Sequence, residues 1–172
     1  MRRLGVIAAL GALLGLLGGA VTASPALARG PQWQLLSAEP FTLPASFCGF
    51  EVGVTFPVGK EYLKVLKTSD GSMTFLITGA LTASFTNLGT GKTITENVPG
   101  AGKVTEFPDG SVTLSQEGHT ARFLTPADAQ RFGLPAVGVT AGLLTTSVAA
   151  DGSITSMSLD GHVLVDVCAA LG

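Results

Sequence analysis

Apolar and polar side chains alternate with a period of two through much of the chain beyond residue 48. In ALTASFTN, Leu81, Ala83 and Phe85 fall on one side and Thr82, Ser84 and Thr86 on the other, which is the pattern of a strand with one buried face. Met73, Phe75 and Ile77 form a similar inward set, Val112 and Leu114 another, and Val163, Val165 and Val167 share a face near the end. Four Asp-Gly pairs punctuate these runs, at 70–71, 109–110, 151–152 and 160–161. Asp-Gly between β-rich segments predicts a tight hairpin, because both central residues of a type I′ turn need positive φ. TNLGTGKT and VPGAGK add further turns.

Helical signals are confined to two places. TPADAQRF offers Thr125 as N-cap, Pro126 in the first turn and Asp128 close behind, and it is stopped by Gly133 and Pro135. CAALG reads as a closing helical turn. Short strands joined in sequence therefore predict an all-β domain: an antiparallel meander of about eight or nine strands forming a single barrel, after an N-terminal signal helix. A two-sheet β-sandwich is the alternative.

The first residues change the picture of composition. Arg2 and Arg3 precede an apolar run rich in Leu, Ala and Gly, which ends at the small-residue triplet Ala26-Leu27-Ala28. That order reads as a secretory signal peptide over 1–28, cleaved between Ala28 and Arg29. Residues 29–47, with three prolines and Trp33, read as an extended lead-in, and 48–172 as the β-domain. The whole chain has 10 Lys and Arg against 12 Asp and Glu, net −2; losing Arg2 and Arg3 takes it to −4. An acidic chain with scattered charges lacks the basic footprint of a nucleic-acid binder, and no polybasic patch draws it to an anionic membrane once the signal is removed. The expected location is extracellular.

Candidate chemistry is sparse. NLGTGKT ends in Gly-Lys-Thr, but the phosphate loop needs a glycine at position 86, where Thr stands. GAGKVT fails the dinucleotide pattern at Thr105. His162 and Asp166 share a face of the last strand, yet four residues of strand hold them roughly 13 Å apart. His119, if its strand is regular, lies on the face of Ala121 and Phe123 and points into the barrel, where an imidazole would serve as a ligand hook or proton carrier; a strand-end, exposed histidine is the plainer reading. The threonine-rich faces, Thr82-Ser84-Thr86 and Thr93-Thr95, read as the solvent side of a sheet. No cofactor and no metal site is expected.

Cys48 and Cys168 are the two cysteines. Lacking zinc spacing in an exported chain, they are expected to form one disulfide. Closing a loop of that length restricts the unfolded chain by about 4.9 kcal/mol in the entropy model. Parity poses a difficulty, since Cys48 sides with the inward row Phe50, Val52 and Val54, whereas Cys168 sides with His162, Leu164 and Asp166. Cys168 is therefore expected just beyond the strand, or after a bulge.

CGFEVGV, TNLGTGKTIT followed by PG, PDGSVTL and the closing DGHVLVDVCAALG together resemble a group of small exported β-domain proteins of actinobacteria. The resemblance implies export and a two-cysteine β-domain. It assigns no activity and carries no site residue across. The resulting expectation is a secreted, non-enzymatic binding or envelope-associated module, whose partner is a small apolar ligand or a cell-envelope component. A carrier of a small apolar ligand in the barrel lumen, and a small barrel enzyme of isomerase or cyclase type, are the alternatives.

Overall fold

The computed structural model describes residues 32–172. The expected signal helix and its cleavage point at Ala28 and Arg29 lie outside the described residues. The strands are β1 (Gln34–Leu36), β2 (Phe41–Leu43), β3 (Val52–Lys67), β4 (Met73–Asn87), β5 (Thr93–Asn97), β6 (Ala101–Glu106), β7 (Val112–Phe123), β8 (Val137–Val148) and β9 (Ile154–Asp166). Two short helices, α1 (Pro126–Phe132) and α2 (Val167–Leu171), complete the described residues. All pairings are antiparallel, in the order β1-β3-β4-β6-β7-β8-β9, with β2 also on β3 and β5 also on β4.

Three Asp-Gly pairs build one and the same turn. In Thr68–Ser72, Phe107–Ser111 and Ala149–Ser153 the first residue's carbonyl accepts from the glycine amide, and its own amide donates to the serine carbonyl. Gly71, Gly110 and Gly152 have φ of 86°, 83° and 86°, and among the described residues no non-glycine residue has positive φ. These loops are thus type I turns followed by a left-handed glycine, not the expected type I′. Each aspartate Oδ1 accepts from the serine amide at 2.9 Å. The fourth pair, Asp160-Gly161, is followed by histidine instead of serine and lies inside β9. The three true turns stand side by side at one end of the sheet, as Gly71 against Pro108 and Gly110 against Ala150 show.

Glycines also mark where the packed face of the sheet changes. Gly118, Gly142 and Gly161 are direct neighbours across β7, β8 and β9. A Cβ on Gly142 would sit 2.1 Å from the Asp160 carbonyl oxygen, and one on Gly161 would sit 1.9 Å from that of Ala141, so only glycine admits this approach. On one side of the line, Ala121, Phe123, Val137 and Val139 pack with Val52, Val54, Ala83 and Phe85. On the other side the packed residues have the opposite parity: Val112, Val148, Ile154 and Met157 meet Leu124, Ala129 and Phe132 around α1. A third apolar cluster joins Phe75, Ile77 and Val104 to Leu36, Leu63 and Leu114.

The expected barrel is not found, and the layered alternative fits. β4 spends one edge on two partners, Thr82–Thr86 on β5 and Met73–Ile77 on β6. β9 pairs with β8 alone, and β1 and β2 end the sheet at the other side. The ladder therefore folds back on itself with both edges open.

α1 forms as its sequence predicts: Thr125 Oγ1 accepts from the Asp128 amide at 3.2 Å, and Gly133 ends the helix in the left-handed region. α2 starts at Asp166, whose carboxylate accepts from the Ala169 amide at 3.1 Å. Its Cys168 is bonded to Cys48, with Cα atoms 5.0 Å apart. Both expected remedies for the parity problem occur: Cys168 lies in α2, and Val139 and Thr140 oppose Val165 and Val163, leaving Leu164 as an inserted residue. That insertion turns Val163 and Val165 to opposite faces and breaks the expected valine row. The buried Asn87 donates to the Leu171 carbonyl at 3.2 Å and holds the β4–β5 loop through the Gly89 and Thr90 amides.

Candidate functional site

A cavity of about 70 Å³ lies in the fold of the sheet between the first and third clusters. Its apolar wall comes from Leu36 of β1, Phe56 of β3, Ile77 and Leu81 of β4, Val98, and Ala121 and Phe123 of β7; Gly100 and Gly102 add backbone without side chains. Glu61, Gln116 and Thr120 supply the polar part.

Glu61 faces inward because β3 changes parity. Thr55 opposes Ser84 while Val58 opposes Thr82, so one residue is inserted at Phe56-Pro57. Proline gives no amide to the ladder and marks such a place. Beyond it Glu61 and Leu63 turn to the inner side, and Tyr62 turns outward, 44 % exposed. The residue opposite Glu61 is Gly79, which leaves its side of the wall free of bulk. Burial raises the Glu61 carboxyl above its ordinary value. Thr120 is 4 % exposed and its Oγ1 has no hydrogen-bond partner among the described residues; a Cβ on Gly100 would lie 2.7 Å from that oxygen, which seals it from the cavity.

Next to Thr120 along β7, Arg122 is buried. Its Nη1 donates to the Pro135 carbonyl at 3.1 Å, whereas Nε and Nη2 have no partner among the described residues. Burial lowers its pKa to about 10, with the Asp166 charge acting in the opposite sense. The guanidinium crosses Gly138, where a Cβ would be 2.9 Å from Nη2.

His119 is exposed, directly after Gly118 within β7, and does not line the cavity. Of the two readings of His119, the interior imidazole is not found and the exposed one fits; the residue stands beside Gly118, opposite Ala141. His162 and Asp166 are likewise exposed. The hydroxyl faces stand where their parity puts them: Ser84 meets Thr95 at 2.7 Å and Thr86 meets Thr93 at 2.8 Å, both pairs exposed. Trp33 lies under the Lys64 ammonium, 5.8 Å from its ring centre, and Leu35 opposes Tyr62 on the same edge.

Among the described residues no helix is long and apolar enough to cross a membrane, and no group of three or more His, Cys, Asp or Glu gathers as a metal site. Comparison with family models, with curated proteins and with solved structures gives no match.

Glu61, Gln116 and Thr120 are the cavity groups that a reading of the sequence passes over. Pro57 was the available signal for Glu61. For Thr120 and Gln116 no local signal exists, since the cavity is assembled from strands far apart in the chain.

Proposed function

We propose that this is an exported, non-enzymatic binding module that holds a small apolar molecule, or the apolar end of a larger one, in its interior cavity. The cavity carries the reading: apolar side chains from β1, β3, β4 and β7 enclose it, with a few polar groups to orient an occupant, the common make-up of small-molecule sites. The disulfide suits export, since such bonds persist in oxidising compartments. The enzyme reading relied on an interior His119 as acid or base, and that side chain is exposed.

Native mass spectrometry of the protein recovered from its own culture medium tests the proposal. The expected result is an oxidised chain beginning at Arg29 that retains one small molecule, released on denaturation. A bare chain that also fails to take up an added apolar reporter overturns the carrier reading, and a chain still beginning at Met1 overturns export.

A further inference from the structure

The wall of the cavity carries one kind of charge. Among the described residues Glu61 is its single ionisable one, and no Lys, Arg or His lines it. An anionic occupant would face that carboxylate with no cation to offset it. A wholly apolar one would leave the half-buried Glu61 carboxylate without a partner in the cavity. An ammonium group meets both demands, because its N–H donors and its charge suit a carboxylate, and the charge-assisted bond is the stronger kind.

Size narrows the choice. The cavity's 70 Å³ is about half of the roughly 150 Å³ that holds a benzene ring in an engineered apolar site. It takes up a short aliphatic segment but not a whole benzene ring. We infer that the cavity binds an aliphatic amine, its ammonium on Glu61 and its first carbons against Ile77, Leu81 and Phe123. This rests on the reading of the cavity as a ligand site. Glu61 is only half buried, so a longer ligand extends outward on that side.

Gly102 provides the control. A Cβ placed there meets only Ile77, at 3.7 Å, an ordinary contact, so Gly102→Val fills cavity space without striking backbone. The experiment is an NMR titration of the oxidised protein with n-butylamine, 1-butanol and butyrate at equal ionic strength, read at the methyl groups of Val98, Leu81 and Ala121. Butylammonium should bind about tenfold more tightly than butanol, the scale of one charge-assisted hydrogen bond, and butyrate should bind most weakly. Glu61→Gln should remove the preference for amine over alcohol, while Gly102→Val should abolish binding of all three. Butanol or butyrate binding as tightly as the amine, or a preference that survives Glu61→Gln, overturns the ammonium assignment and leaves the cavity reading standing. If no probe moves the cavity methyls of the unaltered protein, the cavity reading itself falls. Should Gly102→Val fail to fold, Gly102→Ala, with a smaller loss of affinity, gives the same comparison.

Discussion

At Asp70, Asp109 and Asp151 a carboxylate oxygen accepts from the amide of the serine two residues on, and at Asp109 and Asp151 from the serine hydroxyl as well. Asp70 is held chiefly by the Thr68 hydroxyl. These bonds favour the ionised form, and all three carboxyls lie below their ordinary value of 3.8. A depressed carboxyl adds stability above its unfolded value and loses it as pH falls through the folded one. The urea midpoint should therefore drop as pH is lowered from about 5 to 2, and drop less in an Asp109→Asn, Asp151→Asn double variant, which keeps an acceptor but cannot titrate. Equal slopes would show that these carboxylates contribute nothing. Glu61 acts in the opposite sense, since its raised value makes stability fall as pH rises through it. The distinction between turn and strand was legible at this scale: serine follows Gly71, Gly110 and Gly152, while His162 follows Gly161. Asp-Gly alone does not fix a turn; the serine amide and hydroxyl that engage the aspartate accompany the three that form.

Strands were legible from alternation wherever no residue was inserted. The inward set of Met73, Phe75 and Ile77 and the face of Leu81, Ala83 and Phe85 stand as parity places them. Reading failed at the inserted residues, Phe56-Pro57 in β3 and Leu164 in β9, because one extra residue exchanges the two faces of everything beyond it. It also failed at the glycine line, where the register holds but the covered face changes. Gly142→Ala drives a methyl into the Asp160 carbonyl and should cost roughly 2–4 kcal/mol. Gly102→Ala, with ordinary contact only, should stay within about 1 kcal/mol of the parent. Urea denaturation of the two variants side by side checks the contrast; equal losses would mean that the line is not a structural requirement.

Whether a meander closes into a barrel depends on its first and last strands meeting, a relation that no local pattern records. Here the split pairing of β4 and the short β1 and β2 leave the edges apart. The cavity was hidden for the same reason, since its wall gathers residues from β1, β3, β4 and β7. The disulfide was legible because two cysteines allow one pairing. Replacing both Cys48 and Cys168 by alanine should lower stability by about 3–5 kcal/mol, read as a fall in the urea midpoint, whereas an unchanged midpoint would show that Asn87 and the packing of α2 suffice. The bond also decides how the molecule bears load. Tension applied from a point before Cys48 to a point after Cys168 runs through the sulfurs and bypasses β3 to β9, so those strands stay folded under pulling that would unravel an open chain. Reduction returns the 120-residue separation to the stretchable length, roughly 400 Å at full extension, and makes the redox state of one bond the difference between a short tether and a long one.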